Sequence, residues 1–209
     1  MIITIGNSKG GVGKSTIACN LASMAAKENK KVLLVDADPQ ASSLNFRSIR
    51  EADDIKATAI TTPTLHKDLK EFTNFDLIII DSGGRDSVIF RSSILAADIL
   101  IIPVLPSVYD IWATSDTLEI VQEAKIFNEK LITRFLLNMV MANTIMAREA
   151  LQALEEKKEI PILKSQLGAR SSFKNGIISG QGVIEHAPKS KAASELAACY
   201  HEIMQLGDF

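Results

Sequence analysis

The sequence predicts an α/β fold in which helices cover both faces of a mainly parallel, twisted sheet. Short and almost unbroken apolar runs recur along the 209 residues, and predicted helical segments separate them. Such runs are typical of parallel strands that are covered on both faces. Strands that alternate with helices favour one sheet with right-handed crossovers. Since this length suits a single domain, we expect one domain over residues 1–209.

The predicted elements follow from these runs and from the helix signals between them. The strongest strand predictions are Ile2–Ile5, Lys31–Val35, Leu77–Ile80, Ile99–Val104 and Phe135–Val140, and the weaker ones are Ala57–Thr61 and Pro161–Ser165. Helices are predicted over Ser15–Lys27, over Ala41–Arg50, from a cap at Asn143 or Thr144 to about Lys157, and over Lys189–Leu206. A further helix is predicted to begin at Ser107, because Asp110 three residues later completes a capping-box pattern.

Composition argues against several classes of protein. Hydrophobic residues make up 46% of the chain and charged residues 23%, so disorder is not expected. No apolar stretch approaches the roughly 20 residues that span a bilayer. The segment Met1–Ile5 lacks the basic start of a signal peptide. Cys19 and Cys199 form no CxxC pair, and we expect two reduced thiols in a cytoplasmic protein.

Positive charge is concentrated in one part of the chain. Residues 157–191 carry seven Lys and Arg against two Glu, a net charge of +5, whereas the whole chain carries −2. Solvated lysines on an ordinary surface explain this pattern, and so does a face that binds a polyanion. The sequence leaves both interpretations open.

A phosphate-binding loop follows the first predicted strand and opens the first predicted helix, which is the context that a P-loop requires. Its glycines let successive amides point at phosphate oxygens, and the helix adds its positive N-terminal end. Lys14 is expected to neutralise charge on the β- and γ-phosphates, and the Ser15 hydroxyl to ligate Mg²⁺. The residues predicted to bind the nucleotide here are Lys9, Gly10, Gly11, Val12, Gly13, Lys14, Ser15 and Thr16.

The loop departs from the general pattern GxxxxGK[ST]. Ser8 replaces the first glycine, and a second lysine, Lys9, stands before the glycine pair. The pattern KGGxGK[ST] resembles the deviant Walker A motif of the ParA/MinD family of ATPases. That resemblance implies a single-domain P-loop NTPase that binds ATP and Mg²⁺. It also implies that Lys9 reaches across an ATP-bound homodimer to the partner's phosphates, where it acts as an arginine finger does.

Three aspartates are the acidic candidates. Asp36 and Asp38 follow an apolar run, and Asp81 ends another, so all are expected at the carboxyl ends of parallel strands, where ligands bind. Taken alone, each is equally consistent with a turn or a strand end. By resemblance, DxDPQ is the second motif of the family, which implies that Asp38 positions the attacking water and Asp36 supports the magnesium shell. Asp81 is then expected to hold Mg²⁺ through water, with Gly83 and Gly84 following as a switch-like loop.

The resemblance implies further roles later in the chain. Asn138 is placed to read the adenine edge, although a strand-end turn explains it equally well. The segments Ser171–Gly182 and Val183–Glu185 resemble the small ParF-type plasmid partition proteins, which lack an N-terminal helix-turn-helix extension. We therefore expect no such extension here. Candidates for non-specific DNA contact are Arg170, Lys174, Lys189 and Lys191.

The function implied by the resemblance is an ATP-switched homodimer with weak basal hydrolysis. A centromere-binding or cargo adaptor protein would stimulate hydrolysis, and the dimer would segregate plasmid or chromosomal DNA in the cytoplasm, on the nucleoid. No membrane partner is expected, because the last predicted helix is acidic. Two alternatives stay open: a relative that positions a protein assembly, and a biosynthetic enzyme that phosphorylates a small carboxylate.

Overall fold

The computed structural model describes residues 1–84, 87–141 and 144–207. A six-stranded sheet lies at its centre, and every strand pairs in parallel with its neighbours. The strands are β1 (Ile2–Ile5), β2 (Val32–Ala37), β3 (Ile55–Ala59), β4 (Leu77–Ser82), β5 (Ile99–Val104) and β6 (Ile132–Leu137), in the spatial order β3-β2-β4-β1-β5-β6. The predicted fold class is confirmed.

Helices cover both faces of this sheet, as the unbroken apolar runs require. In β2, Val32 and Leu34 join one buried cluster, whereas Leu33 and Val35 join another. Successive side chains of a strand point to opposite faces, so both faces must be dry. The helices are α1 (Lys14–Lys27), α2 (Ser42–Ile49), α3 (Leu65–Asp68), α4 (Val88–Ala96), α5 (Val108–Trp112), α6 (Thr114–Lys125), α7 (Ile145–Glu156), α8 (Ser171–Ile178), α9 (Val183–His186) and α10 (Lys191–Gln205).

The start of α7 agrees with one of its two predicted caps, and α10 also begins with a side-chain cap. Thr144 accepts a hydrogen bond from the amide of Ala147 at the start of α7, and Ser190 accepts one from Ala193 at the start of α10. The alternative cap Asn143 lies outside the described residues. Apolar residues of α10, among them Leu196, are buried.

Three local predictions are wrong. Segment Pro161–Ser165 is not a strand: it makes an isolated bridge beside β6, and Pro161 has no amide proton to extend a ladder. The β6 strand ends at Leu137, before the end of the predicted run Phe135–Val140. The helix after Ser107 begins as predicted, but no capping box forms, because the Asp110 carboxylate pairs with Lys9 instead.

The sheet topology brings the phosphate loop beside two of the aspartates. Strand β4 lies between β1 and β2, with Ile5 opposite Asp81 and Asp36 opposite Asp81 in register. The carboxyl ends of all three strands therefore meet at one edge, where β1 passes into the loop before α1. Among the helices of the described residues, none is both long enough and apolar enough to cross a bilayer.

Candidate functional site

The phosphate loop connects β1 to α1 and needs glycine where the chain turns most sharply. Gly11 and Gly13 have φ values of 77° and 92°, in the left-handed region that favours glycine. A side chain at Gly13 would also meet the Asn138 amide nitrogen at 2.4 Å. That nitrogen donates to the Val12 carbonyl at 2.8 Å. Asn138, at the end of β6, therefore braces the loop from the side.

Lys14 is the central cation of the site. Its side chain is buried, and its Nζ donates to the Lys9 carbonyl at 3.0 Å, across the curl of the loop. Burial lowers the pKa of Lys14, and the carboxylates of Asp81 and Asp38 oppose that change. The Lys14 ammonium thus lies within the loop and close enough to the carboxylates of Asp81 and Asp38 to interact with them.

The Lys9 side chain pairs with a residue outside the phosphate loop. Its ammonium forms an ion pair with Asp110 in α5, and its backbone amide donates to Asn7 Oδ1 at 2.9 Å. Its predicted reach into a partner subunit therefore requires the lysine side chain to leave Asp110. Sequence reasoning missed this pairing, since 101 residues separate the two side chains.

Asp81 carries an orphaned buried oxygen. Its Oδ2 accepts a hydrogen bond from the Ser43 hydroxyl at 2.6 Å, whereas Oδ1 is buried without a hydrogen-bond partner among the described residues. Burial raises the pKa of Asp81 to about 7; the Ser43 and Ser15 hydroxyls oppose that rise, and Asp36 adds to it. A divalent cation fits here, because it would supply the missing partner and offset the cost of a buried negative charge.

Asp36 occupies both of its oxygens with backbone amides. Its Oδ2 accepts from Ser43 and Leu44 at 2.8 and 3.0 Å, and its Oδ1 accepts from Asp38 at 3.1 Å. Burial raises its pKa, and these three hydrogen bonds oppose the rise. Asp36 therefore holds the loop between β2 and α2, including the Ser43 that contacts Asp81. Its predicted part in a magnesium shell stays a prediction.

A cavity of about 1030 Å³ opens over the loop. Asp38 lines it from one side and accepts a hydrogen bond from the Gln40 amide at 3.0 Å. Gly84 closes on the loop from the β4 side: a Cβ there would lie 3.1 Å from Lys14 Nζ and 3.3 Å from Gly10 Cα. The cavity lining includes Gly10, Gly11, Gly13, Lys14, Ser15, Thr16, Asp38, Gly83, Gly84, Lys174 and Ile177.

A second, smaller cavity of about 320 Å³ adjoins the first. Both share Thr16, Met139 and Lys174 as lining residues. The second is lined largely by apolar side chains, among them Phe173 and Leu196, and Asn138 lies on its wall. The site is therefore a charged cleft continued by an apolar recess.

The four candidate DNA-contact residues have different surroundings. Arg170 donates to both carboxylate oxygens of Glu195, at 2.9 and 2.8 Å, so its charge is paired. Lys174 is exposed on α8 and lines both cavities, a position that nothing in its sequence context indicated. Lys189 and Lys191 are exposed at the start of α10. DNA contact by any of them stays a prediction.

Comparison with known proteins identifies the family. Residues 3–183 match the family described as "CobQ/CobB/MinD/ParA nucleotide binding domain". The chain belongs to this family. As a ParA/MinD family member it carries a nucleotide-binding domain. The cavity over the phosphate loop is lined by Lys14 and by the glycines of that loop.

Relatives of this ParA/MinD chain cover most of its length. It is 30% identical to "Maintenance of carboxysome distribution protein A" of Halothiobacillus neapolitanus, over 92% of this chain and 91% of that protein. It is 25% identical to "Sporulation initiation inhibitor protein Soj" of Bacillus subtilis, over 92% and 93% of the two chains.

Solved structures share the fold. The structure of McdA from Cyanothece superposes with a TM-score of 0.82 at 20% identity and covers 98% of both chains. MinD of Pyrococcus horikoshii complexed with Mg-ADP superposes with a TM-score of 0.81 at 19% identity, over 100% of this chain and 97% of that one. At these identities the likeness is one of fold.

Proposed function

We propose that this chain is a ParA/MinD-type ATPase that closes into a homodimer around ATP and Mg²⁺ and positions a cargo. The observation that carries the proposal is the cleft itself. Lys14, Ser15 and the glycines of the loop line one cavity large enough for a nucleotide, and the buried Asp81, whose Oδ1 has no hydrogen-bond partner among the described residues, interacts with that same Lys14 and Ser15. Solved relatives complexed with ATP or Mg-ADP share the fold and support this choice of ligand.

In this proposal the loop holds the phosphates. Lys14 exchanges its bond to the Lys9 carbonyl for the β- and γ-phosphates, and the amides from Gly10 to Thr16 donate to the remaining phosphate oxygens. No large rearrangement is needed, because Lys14 already lies inside the loop. The apolar recess then takes the nucleobase, with Asn138 at its wall for the adenine edge.

The metal would be held by the Ser15 hydroxyl, with Asp81 behind it through water and Asp36 supporting the loop that carries Ser43. A bound Mg²⁺ neutralises phosphate charge as it builds during transfer. Asp38, on the cavity wall, orients the attacking water by accepting a hydrogen bond from it. Lys9 of the second subunit supplies positive charge at the γ-phosphate after it leaves Asp110.

Relatives of the chain support two candidate cargoes. Partition of plasmid or chromosomal DNA follows from the resemblance to small ParA proteins, with ATP-dependent, non-specific DNA binding on the nucleoid and an adaptor that stimulates hydrolysis. A protein assembly is the second candidate, since two relatives at 30% and 31% identity are carboxysome distribution proteins. The two cargoes share one ATPase cycle, so the cleft supports both.

Binding of ATP at the phosphate loop is tested by measuring nucleotide affinity. Lys14→Ala should lower ATP affinity on the order of a hundredfold or more, because a buried cation facing the phosphates is lost. Lys130→Ala, an exposed lysine before β6, is the matched control and should bind as wild type. Fluorescent-nucleotide titration measures both. Equal affinity of Lys14→Ala and wild type would refute the proposed site.

The trans role of Lys9 is tested by mixing variants. Lys9→Ala should bind ATP but lose ATP-dependent dimerisation, hydrolysis or both. A mixture of Lys9→Ala with Lys14→Ala should recover up to roughly a quarter of wild-type hydrolysis, because mixed dimers pair an intact nucleotide site with an intact Lys9. Unaltered dimerisation and hydrolysis in Lys9→Ala would rule out a role across the interface.

The cargo is tested by measuring DNA binding and by measuring which added molecule speeds ATP hydrolysis. Salt-sensitive binding of non-specific duplex DNA that requires ATP is expected for a nucleoid-bound ATPase. Hydrolysis that depends instead on a small carboxylate substrate, without stimulation by DNA or protein, would favour a biosynthetic enzyme and contradict the proposal.

A further inference from the structure

The two residues before Lys9 are tied to a buried threonine of α6. The Thr117 hydroxyl lies 2.8 Å from the Ser8 hydroxyl, and it receives the Ser8 amide at 3.1 Å. It also donates to Asn7 Oδ1 at 3.2 Å. Thr117 has no exposed surface, and about 110 residues separate it from these partners. Helix α6 is therefore hydrogen-bonded to the start of the phosphate loop.

These contacts use every hydrogen-bonding position of the threonine. A hydroxyl offers one donor and two acceptor positions. Thr117 accepts from the Ser8 amide and donates its single proton to Asn7 Oδ1, so in its contact with the Ser8 hydroxyl it is the acceptor. Valine has the same shape but none of these groups, whereas serine has all of them. These three hydrogen bonds at position 117 therefore require a hydroxyl group, and a side chain of the same volume without one cannot form them.

The network continues to the backbone of Lys9. Asn7 Oδ1 accepts the Lys9 amide at 2.9 Å as well as the Thr117 hydroxyl, and Asn7 Nδ2 donates to the Pro103 carbonyl at 2.8 Å. The backbone of Lys9 is therefore held independently of its ammonium, which ends on Asp110. When the ammonium changes partner, this network still fixes the direction in which the side chain leaves the loop.

We propose that Thr117 is a positioning residue, which with Ser8 aims Lys9 at its target. The proposal rests on the proposed function, in which Lys9 contacts a nucleotide in a second subunit. It also gives Ser8 a role at a position where the general P-loop pattern has glycine. Among the described residues, no hydrogen bond of Thr117 reaches Lys14 or the loop amides after Lys9. Nucleotide affinity and Lys9-dependent hydrolysis should therefore respond differently to its loss.

The test compares Thr117→Val with Thr117→Ser. In Thr117→Val we expect ATP affinity within about twofold of wild type and kcat lowered by about tenfold to a hundredfold, because a catalytic group misplaced by about 1 Å costs up to about a hundredfold. Thr117→Ser should recover kcat to within about threefold, since it restores the hydroxyl. Ser8→Gly should lower kcat in the same direction. The double variant should lose less than the product of the single losses, because both changes break one network.

A neighbouring threonine is the matched control. Thr114 is equally buried in α6, but its hydroxyl donates to the Ile111 carbonyl, three residues earlier in the chain, at 2.6 Å. Thr114→Val should leave both kcat and ATP affinity unchanged. Urea unfolding of each variant separates a loss of stability from a change in the position of Lys9. If Thr117→Val does not fold, Ser8→Gly carries the same test, and an unchanged kcat there overturns the proposal.

Three results for the Thr117 variants would overturn the inference. They are wild-type kcat in Thr117→Val, a parallel loss of affinity and kcat, or equal impairment of folded Thr117→Ser and Thr117→Val. If Lys9→Ala loses hydrolysis while Thr117→Val keeps it, the inference falls and the proposed function stands. If Lys9→Ala hydrolyses and dimerises as wild type, the trans role and this inference fall together.

Discussion

Arg50 offers a sharp test of how the fold holds the wall of the cleft. Its guanidinium is almost fully buried and donates to both oxygens of Asp54 and both oxygens of Glu185, at 2.7 to 2.9 Å. It also donates to the Gly180 carbonyl at 3.0 Å. These bonds tie the end of α2 to the turn between α8 and α9. Since α8 carries Lys174 into the cavity lining, we expect Arg50 to matter for stability and for nucleotide binding.

The size of the effect follows from burial. Removing one partner of a buried ion pair costs about 3–5 kcal/mol, because it leaves the other partner's charge uncompensated. Asp54 and Glu185 are 37% and 29% exposed, so water can reach them once Arg50 is gone. We therefore expect Arg50→Met to lower the free energy of unfolding by about 3 kcal/mol, the lower end of that range. For a domain of this length the midpoint should fall by roughly 6–12 °C.

Arg170→Met is the matched control for this experiment. Arg170 has the same two-pronged geometry with Glu195, but its side chain is 31% exposed and that of Arg50 only 2%. An exposed pair of this kind is worth up to about 1 kcal/mol. Urea unfolding measured by circular dichroism compares the two variants. Equal losses in Arg50→Met and Arg170→Met would refute the reasoning from burial.

Two further pairs of substitutions each compare a residue of the cleft with a control. Gly84→Ala should weaken ATP binding several-fold, because its Cβ would press on the Gly10 backbone, whereas Gly83→Ala has no contact closer than 3.7 Å and should bind normally. Nucleotide titration checks both, and equal affinities would contradict the close packing at Gly84. Lys174→Ala should lower ATP affinity a few-fold, while Lys189→Ala, outside the cavity lining, should lower only DNA binding. Loss of ATP affinity in Lys189→Ala would contradict this division.

The sequence was sufficient for those parts of the site that are local. The phosphate loop lies between its strand and helix as the pattern required, and Asp36 and Asp81 end neighbouring strands, because parallel strands place their carboxyl ends at one edge. Strand positions were found where runs were long and apolar. The β6 boundary and the segment Pro161–Ser165 were misjudged, since a single bridge and a full ladder leave similar patterns of apolar residues.

What the sequence left out depends on contacts between distant residues. Asp110 had a local interpretation as part of a capping box, but its carboxylate pairs with Lys9, which no local pattern encodes. Ser43 stands seven residues beyond Asp36 and contacts Asp81 only because β2 and β4 are neighbours. Thr117 is a buried helix residue whose partners, Asn7 and Ser8, come from the start of the sequence. Such roles require the topology before they can be inferred.

We infer above all that this loop encloses a triphosphate with one lysine from its own subunit and one from a second copy. Determining the structure of the chain with Mg²⁺ and a non-hydrolysable ATP analogue tests that claim most directly. We expect the phosphates against the segment from Gly10 to Thr16, with Lys14 beside them and the ammonium of the second subunit's Lys9 at the γ-phosphate. A triphosphate bound away from this segment, or a dimer in which each Lys9 still pairs with Asp110, would contradict the account.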